Sequence, residues 1–204
     1  MFNALISLIE RRVSTNFFDS SHRLEEAQIE QLAHLATRAP TAYNLQNWRL
    51  IAVRSSRHKE RLREVADNQA KVCEAAVTFI ICGVLPDAAV VSQRLRPLVE
   101  AGLMPDAMAM AWQEGAYLKY RDPQIARDEA VRSATLAGAT LIYAAEALGL
   151  ASCPMVGFDA RGVASAFGLK SDELPVLLVA VGRAAPGNWP QKPRRPLYEV
   201  LEVL

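Results

Sequence analysis

The stretch Ala134-Thr-Leu-Ala-Gly-Ala-Thr-Leu-Ile-Tyr-Ala-Ala-Glu-Ala-Leu-Gly-Leu-Ala151 is the most apolar long segment of the chain. It forms the later part of a helical pattern that runs from about Ile125 to Leu148, and Gly149 provides the C-terminal stop. Glu146 and two threonines interrupt the apolar residues, and the segment barely reaches the length that a membrane span requires. It therefore predicts a helix that is buried on nearly all sides.

Short strands are predicted on both sides of this helix in the sequence. Ala76–Cys82 and Pro175–Gly182 are continuous apolar runs rich in β-branched residues, which is typical of strands covered on both faces. Trp48–Arg54 reads as another strand, Leu197–Leu204 alternates like a last one, and Met155–Gly157 reads as a turn or a strand end. Because regular βαβ alternation is lacking, the pattern favours an α+β fold with helices packed on a small sheet.

The remaining helices are predicted from apolar residues at helical spacing. Their predicted ranges are Phe2–Arg12, Leu24–Arg38 after a Ser20-Ser21 cap region, Ser56–Ala66 and Ala160–Phe167. The segment Leu85–Tyr120 contains Pro86, Pro97 and Pro105, and we expect one or two helices broken by these prolines.

Length, composition and charge limit the class of protein. The chain has 204 residues, of which 51% are hydrophobic and 22% are charged, which predicts one globular domain over residues 1–204. A net charge of +1 without a basic run predicts neither a nucleic-acid partner nor a membrane partner. The segment Met1–Ile9 lacks the basic region and cleavage site of a signal peptide, so a cytoplasmic location is expected.

The cysteine pattern predicts a reducing compartment and no structural metal. Cys73, Cys82 and Cys153 are odd in number and widely spaced, and they match no zinc-ligand spacing. We interpret Cys82 and Cys153 as small core residues rather than nucleophiles.

The familiar catalytic motifs are missing from the sequence. It contains no GxSxG, no GxxxxGK[ST], no GxGxxG after a strand and no paired arrangement of histidine and carboxylate. The reactive group of an enzyme with this sequence is therefore expected to come from a bound cofactor.

Two basic clusters at opposite ends of the chain provide donors suited to a phosphate. Arg11–Thr15 contains two arginines and a serine hydroxyl, and Lys192–Pro196 contains a lysine and two arginines. The alternative is that both clusters are solvated surface patches, since lysine and arginine are mostly exposed in proteins.

Two uncharged segments are further candidates for ligand contacts. Ala39–Trp48 joins a helix to a strand and is rich in amides, which can both donate to and accept from the edge of a heteroaromatic ring. The alternative is an ordinary turn with Trp48 in the core. Pro154–Gly157 lies at a strand end, where backbone N–H groups can face a ligand.

Five segments, taken in this order, resemble the nitroreductase family of FMN-dependent NAD(P)H oxidoreductases. The segments are Glu10-Arg-Arg-Val-Ser-Thr-Asn-Phe-Phe-Asp19, similar to RRxSxRxF; Ala39-Pro-Thr-Ala-Tyr-Asn-Leu-Gln-Asn-Trp48, similar to APSxxNxQPW; Asn68-Gln-Ala-Lys71; Ala147-Leu-Gly-Leu-Ala-Ser-Cys-Pro-Met-Val-Gly-Phe-Asp159, similar to ALGLxxxxxxGFD; and Lys192-Pro-Arg-Arg-Pro196, similar to KxRxP. The resemblance covers most of the chain but not Gly83–Asp128.

The resemblance implies a role for each matched position. Arg12, Ser14, Lys192 and Arg194 would hold the FMN phosphate. Asn68 and Lys71 would face the pyrimidine edge of the flavin, and the backbone near Val156 and Gly157 would donate to the flavin N5. The complete implied cofactor set is Arg11, Arg12, Ser14, Asn16, Pro40, Thr41, Ala42, Asn44, Asn68, Lys71, Pro154, Val156, Gly157, Lys192 and Arg194, of which Pro40, Thr41, Ala42 and Asn44 would come from the other subunit.

The fold implied by the resemblance is a nitroreductase-like three-layer sandwich, in which helices flank a small, mostly antiparallel sheet. It would be a homodimer, with the helix Ala130–Leu148 at the interface. The C-terminal strand Leu197–Leu204 would join the sheet of the partner.

Three positions depart from the family pattern. Asn16 replaces a basic residue, which removes one positive charge near the flavin, and Asn47 replaces a proline, which predicts a less rigid loop. Val156 stands where some members carry glutamate, so the side-chain environment over the ring becomes more apolar.

The implied activity is a two-step relay, in which NAD(P)H reduces FMN and leaves before a nitroaromatic, a quinone or an enone binds. No catalytic side chain is required, because the flavin N5 carries the hydride. Trp112, Tyr117 and Tyr120 are candidates for lining the acceptor pocket, with a role in the helix core as the alternative. Other flavin reactions of the family and a non-catalytic FMN-binding protein remain alternatives, as does an α+β dimer whose basic clusters face water.

Overall fold

An antiparallel sheet of four strands forms the centre of the computed structural model, which describes residues 2–204. The strands are β1 (Trp48–Val53), β2 (Val77–Val84), β3 (Ala151–Met155) and β4 (Glu173–Gly182). Their order across the sheet is β1-β2-β4-β3, so that β2 and β4 are central while β1 and β3 lie at the edges.

Helices occupy most of the rest of the chain. They are α1 (Phe2–Arg11), α2 (Glu26–Ala36), α3 (Ser56–Glu64), α4 (Lys71–Glu74), α5 (Val90–Glu100), α6 (Asp106–Lys119), α7 (Pro123–Ala147) and α8 (Ala160–Phe167). Short 3-10 turns lie at Ala42–Asn44 and Leu197–Glu199.

Both faces of the sheet are covered by helices. Side chains alternate between the two faces along a strand, and β2 therefore contributes to two hydrophobic clusters. Phe79 and Ile81 pack with residues of α2 and α7, whereas Ile80 and Cys82 pack with residues of α3, α4 and α8. This arrangement confirms the predicted α+β fold with a small antiparallel sheet.

The apolar segment in the middle of the chain is part of the long helix α7, as predicted. Asp122 caps its start by accepting from the N–H groups of Gln124 and Ile125, and Pro123 occupies the first turn, where no N–H is needed. The chain leaves the helix through Gly149, whose φ of 73° is accessible to glycine. Eleven of its 25 residues are buried, whereas Ile125, Leu136 and Tyr143 are among the exposed ones, so the expectation of a helix buried on nearly all sides was wrong.

Two predicted element boundaries differ from the structure. The helix α2 begins at Glu26, two residues after the predicted Leu24. It is capped at Glu25 rather than by the Ser20-Ser21 region, because the Gln28 side chain accepts from the backbone N–H of Glu25. The predicted strand at Leu197–Leu204 is a 3-10 turn followed by irregular chain, in which the described residues have no strand partner.

The segment between β2 and α7 forms a separate helical layer. It contains α5 and α6, and its hydrophobic cluster also includes Tyr43 and Leu45. Pro105 precedes α6 as predicted, but Pro97 lies inside α5 and does not break it, which corrects the expectation that it would. None of the helices in residues 2–204 is long and apolar enough to cross a membrane.

Candidate functional site

The opening motif lies along the edge strand β3. The Thr15 N–H donates to the backbone oxygen of Ser152 at 2.9 Å, and Ser14 forms an isolated parallel bridge with the same residue. Further on, the Ala185 N–H donates to the Phe17 oxygen at 2.9 Å, so the same segment also contacts the chain after β4. The first predicted phosphate-binding segment is thereby placed between β3 and the C-terminal segment.

Lys71 lies against this opening segment. Its ammonium donates to Oδ1 of Asn16 at 3.1 Å and contacts Sγ of Cys153 at 3.6 Å. Both partners are neutral, and none of the salt bridges among the described residues includes Lys71. The positive charge of Lys71 is therefore oriented without being neutralised.

A buried lysine fixes the short helix that begins with Lys71. The side chain of Lys59 on α3 is buried, and its ammonium donates to the backbone oxygens of Cys73 (3.3 Å) and Ala75 at the end of α4. Desolvation by burial lowers the pKa of Lys59, and the nearby charge of Arg23 lowers it further. The helix α4 is thus held at its C-terminal end while Lys71 faces the candidate site.

Cys153 on β3 is buried within the cluster of cations, with 4% of its surface exposed. Burial raises the pKa of its thiol, although the charges of Lys71, Lys192 and Arg12 act in the opposite direction. The thiol consequently stays protonated near neutral pH, which agrees with its interpretation as a core residue rather than a nucleophile.

The segment before Lys71 packs on the chain after β3. Nε2 of Gln69 donates to the backbone oxygen of Gly157 at 2.8 Å, and a Cβ added at Gly157 would lie 2.7 Å from Oδ2 of Asp67. Asp67 and Asn68 both adopt positive φ angles, which asparagine and aspartate tolerate better than most residues. A side chain at position 157 would therefore displace the Asp67 carboxylate. The contact from Gln69 to Gly157 brings the segment of Asn68 and Lys71 next to Pro154–Gly157.

The C-terminal basic segment returns to the opening motif. Nε2 of Gln191 donates to the backbone oxygen of Arg12 at 2.9 Å, and the guanidinium of Arg194 donates to Oε1 of Gln191 at 3.0 Å and to the Lys192 oxygen at 2.9 Å. The ammonium of Lys192 lies 5.7 Å from the ring centre of Trp189, within the range of a cation–π contact. The two basic clusters from opposite chain ends are thus adjacent.

Four members of the predicted set have other surroundings or no side-chain hydrogen-bond partner among the described residues. Nε of Arg11 donates to Glu146 on α7 at 2.8 Å in an ion pair, so this side chain is directed to α7. Ser14, Asn68 and Val156 are exposed, and their side chains make no hydrogen bond to residues 2–204.

The amide-rich loop lies away from this cluster and contacts the helical layer instead. The Thr41 hydroxyl accepts from the Gln46 N–H at 3.0 Å, and Nδ2 of Asn44 donates to the Arg94 oxygen at 3.5 Å. Tyr43, Asn44 and Gln46 have positive φ angles, which give the loop a tight, irregular path. Pro40, Thr41, Ala42 and Asn44 are therefore not brought to the basic cluster within one chain.

Asn47, one of the departures from the family pattern, ties this loop to the sheet. Its buried side chain donates through Nδ2 to the Val84 oxygen at 2.8 Å, and its own backbone oxygen accepts from the Val84 N–H at 2.9 Å. The loop is thus anchored by hydrogen bonds at the position where a proline would have restricted the backbone.

The three aromatic residues proposed for the acceptor pocket divide into two groups. Trp112 and Tyr120 make edge-to-face contacts with Tyr43, with ring centres 6.2 and 6.1 Å apart. Tyr117 is exposed and lines an open cleft of about 590 Å³ together with Met110 and residues near the start of α5. Trp112 and Tyr120 therefore pack on Tyr43, but Trp112 is also 40% exposed, and Tyr120 lines a second open cleft together with Tyr117. Within residues 2–204, no three acidic, histidine or cysteine side chains are grouped as a metal site.

Comparison with known proteins identifies the group to which this arrangement belongs. The model of the nitroreductase family matches residues 9–183. The chain belongs to the nitroreductase family. It is an oxidoreductase of the NAD(P)H- and FMN-dependent class, as the resemblance of its motifs predicted.

Individual members of the nitroreductase family agree with this assignment along the whole chain. YodC of Bacillus subtilis, named as an NAD(P)H nitroreductase, is 29% identical over 196 residues, which cover 96% of each chain. The structure of the nitroreductase YdfN of the same organism has a TM-score of 0.93 at 25% identity, with 100% of each chain covered. A nitroreductase structure from Exiguobacterium sibiricum, determined in complex with FMN, has a TM-score of 0.89 at 24% identity and covers 98% of this chain and 97% of that chain.

Several residues that shape the site in this nitroreductase were not found from the sequence. Gln69, Trp189 and Gln191 contact the predicted groups, but no role was assigned to them. Gln69 lies inside the Asn68–Lys71 segment between the two assigned residues, and the other two precede the Lys192–Pro196 segment. Asn188 was also missed, although its place in a Pro/Gly-rich segment near two basic residues was a possible signal.

Proposed function

We propose that this nitroreductase holds FMN between the basic groups of its two chain ends and uses NAD(P)H to reduce a small organic acceptor. The observation that carries the proposal is the hydrogen bond from Gln191 to the backbone oxygen of Arg12 at 2.9 Å, which brings the C-terminal basic segment to the opening motif. Lys71 contacts the same motif through Asn16 at 3.1 Å. A solvated patch, the alternative considered from sequence, does not require the basic segments of the two chain ends to be adjacent.

The donor set fits a phosphate. Arg12, Lys192 and Arg194 take part in none of the salt bridges among the described residues, so their charges are available to an anion. Ser14 is exposed next to them and offers a hydroxyl donor. Guanidinium and ammonium groups from two segments would bind the phosphate oxygens by charge-assisted hydrogen bonds.

The groups around Lys71 fit the polar edge of a flavin ring. Lys71 is oriented by Asn16 and keeps its charge, and Asn68 adds an amide from the same loop. A fixed cation at this edge would stabilise negative charge on the ring. When bound, FMN would supply the redox chemistry, by accepting hydride from NAD(P)H and passing it to the acceptor.

The strand end after β3 would contribute backbone donors. The Gly157 oxygen is occupied by Gln69, whereas the Gly157 N–H makes no hydrogen bond to another described residue. Val156 is 77% exposed, so its side chain would cover the ligand with an apolar surface. The backbone around Val156 and Gly157 would therefore orient the reactive part of the ring without taking part in proton transfer. Pro154 has no N–H and would contribute only an apolar contact.

A second copy of the chain would complete the site. The helix α1 exposes Leu5, Ile6 and Ile9, and Leu197–Leu204 exposes six apolar side chains. Exposed apolar surfaces of this extent are typical of protein–protein contacts. In a homodimer, Pro40, Thr41, Ala42 and Asn44 of the other copy would reach the cofactor, and Leu197–Leu204 would pair with an edge strand of the partner's sheet.

The acceptor is proposed to be a flat, electron-poor molecule such as a nitroaromatic, a quinone or an enone. The residues around the basic cluster support hydride transfer without acid–base catalysis, because Asn16 and Asn68 are neutral amides and Cys153 stays protonated. These residues would bind and shield the cofactor, and protons would come from solvent.

The test is the purification of the protein, followed by addition of FMN under anaerobic conditions. We expect a yellow protein whose visible flavin band bleaches with NADH or NADPH and returns when a quinone or a nitroaromatic is added. A protein that stays colourless and takes up no FMN would contradict the proposal. A yellow protein that never bleaches would support cofactor binding without turnover.

A further inference from the structure

We propose that Asn188 is a positioning residue, which assembles the phosphate-binding part of the site by fixing the C-terminal segment on the opening motif. The inference rests on the proposed function, since it assigns the residue that brings Lys192 and Arg194 to Arg12 and Ser14. The segment concerned is defined here as the C-terminal strap, residues 185–194.

The side chain of Asn188 uses both of its ends to join two distant parts of the chain. Its Oδ1 accepts from the N–H groups of Asn16 at 2.7 Å and Phe17 at 3.0 Å. Its Nδ2 donates to the backbone oxygens of Phe17 and Ala185, both at 2.8 Å. One amide therefore satisfies four backbone groups, which is the full donor capacity and the usual acceptor capacity of an asparagine side chain.

Few other interactions hold the strap. All residues after Asn188 are exposed, so hydrophobic burial contributes little to its position. The remaining ties are the Ala185 N–H to the Phe17 oxygen and the Gln191 side chain to the Arg12 oxygen. Asn188 thus provides most of the hydrogen bonds that connect the strap to the opening motif.

The spacing along the strap places the cations relative to these ties. Asn188 bonds to residues 16 and 17, and Gln191 bonds to residue 12, so the strap runs antiparallel along the opening motif. Lys192 follows Gln191 directly, and Arg194 hydrogen-bonds to Gln191. Loss of Asn188 would leave the cations on a segment that only the Gln191 side chain still joins to the opening motif. The segment would then have to be ordered when the ligand binds, and this entropic cost would weaken binding.

Asn188 also connects the strap to the ring-binding groups. The backbone N–H of Asn16 donates to Asn188, while the Asn16 side chain accepts from Lys71. The strap and α4 therefore meet at Asn16. Only the backbone of Asn16 contacts Asn188, so the contact of its side chain with Lys71 does not depend on Asn188. Because Asn188 itself carries no charge, its effect on a ligand is exerted only through the groups that it positions.

The experiment compares the binding of FMN and of riboflavin, which lacks the phosphate, to the wild-type protein and to Asn188→Ala. We expect the dissociation constant for FMN to rise about tenfold in the variant, the effect of losing one to two net hydrogen bonds. The dissociation constant for riboflavin should change less than about twofold. Gln191→Ala should also weaken the binding of FMN more than that of riboflavin, but by a smaller factor. This variant provides the test if Asn188→Ala does not fold.

A matched control is Gln124→Ala, which removes an exposed amide that bonds to Asp128 on its own helix. Hydrogen exchange of the backbone amides without ligand is a second readout. Residues 12–17 and 185–194 should exchange faster in Asn188→Ala than in the wild type, and Gln124→Ala should not change their exchange. Equal losses of FMN and riboflavin affinity would indicate a general structural role and overturn the inference, as would unchanged FMN binding. A wild-type protein that binds neither flavin would overturn the proposed function itself.

Discussion

The ammonium of Lys71 donates to the side-chain oxygen of Asn16 across a distance of 3.1 Å. The family pattern has a basic residue at the position of Asn16, and a second cation there would repel Lys71. In this chain the neutral amide instead holds the lysine in place, and the thiol of Cys153 contacts it at 3.6 Å. The loss of one charge is thus accompanied by a more defined orientation of the remaining one.

Asn16→Asp is expected to weaken FMN binding by about tenfold, because the carboxylate would form an ion pair with Lys71 and neutralise it. The midpoint potential of the bound flavin should become more negative, since the cation would stabilise the reduced ring less. Titration of FMN and spectroelectrochemistry measure the two effects. Asn16→Ser is the matched neutral control and should shift the potential much less. Equal potentials in both variants would show that the charge of Lys71 does not act on the flavin.

Charge reversal of the two chain ends tests the phosphate site. Arg12→Glu and Lys192→Glu should each weaken FMN binding by about a hundredfold, because an attractive charge becomes a repulsive one next to the phosphate. Arg61→Glu, on the exposed side of α3, should leave FMN binding within about twofold. The measurement is FMN retention during gel filtration and the dissociation constant at two salt concentrations. If all three variants behaved alike, the basic clusters would be solvated surface patches.

The three thiols are expected to react slowly in the folded protein. Burial raises the pKa of Cys73 to about 11 and that of Cys82 to about 12, and it also raises the pKa of Cys153. Since the thiolate is the reactive form, a disulfide reagent at pH 7.5 should label none of them within minutes, whereas the unfolded chain should give three equivalents. If the wild-type protein had one rapidly labelled thiol and Cys153→Ala had none, the effect of the nearby cations on the pKa of Cys153 would outweigh the effect of burial.

The ion pair between Arg49 on β1 and Glu173 at the start of β4 predicts a pH-dependent stability. The two side chains meet at 2.7 Å, and Glu173 is buried. Burial alone would raise the pKa of Glu173, but the N–H of Lys170 and the Arg49 guanidinium outweigh it, so the pKa lies below its ordinary value of 4.5. A carboxylate whose pKa is lowered in the folded state stabilises the fold at pH values above its unfolded-state pKa of 4.5. This stabilisation is lost as the pH falls through the folded-state pKa.

Glu173→Gln should therefore lower the free energy of unfolding at pH 7 by about 1.5–3 kcal/mol, the contribution of a hydrogen bond to a charged group. The difference between wild type and variant should shrink as the pH falls below 4.5. Urea denaturation at pH 7 and at pH 3.5 measures both values. A difference that does not depend on pH would mean that packing of the side chain, rather than its charge, accounts for the loss.

The secondary structure could be predicted where periodicity and local stop signals agree. The helix α7 was predicted to begin at about Ile125 and begins at Pro123, after the Asp122 cap that the periodicity did not reveal, while Gly149 follows its end as predicted. The strand β2 was found from its apolar run. The cap of α2 was assigned to two serines, whereas Gln28 caps the helix at Glu25 from inside its first turn. Such a competition is decided by three-dimensional contacts.

The site could be predicted only for groups that carry a charge or lie in a recognisable motif. Arg12, Lys71 and Lys192 were named from sequence, and the fold places their segments side by side through the bonds from Gln191 to Arg12 and from Lys71 to Asn16. Asn188 and Gln191 were not, because their role depends on backbone groups about 170 residues away that have no sequence signature. Pairings of a side chain with a distant backbone are set by the path of the chain, so residue type alone does not indicate them.

Removal of residues 197–204 tests the contribution of a second copy. This segment is exposed along its whole length, including Tyr198 and Val203, and its apolar side chains are left uncovered by the part of the chain that the structure describes. If the segment packs on a second copy, a chain that ends at Pro196 should lose the dimer while its own core remains intact. The bound FMN should be lost as well, because the loop at Pro40–Asn44 would no longer reach it.

Light scattering of the two proteins over a range of concentrations measures the mass, and thermal unfolding reports whether the truncated fold persists. A control that keeps the segment length but replaces Leu197 and Val203 by serine should weaken the dimer by removing about 1.5–3 kcal/mol of burial per side chain. A truncated chain that stays dimeric and yellow would show that α1 and α7 form the interface alone. In that case the exposed C-terminal residues would have no part in assembling the site.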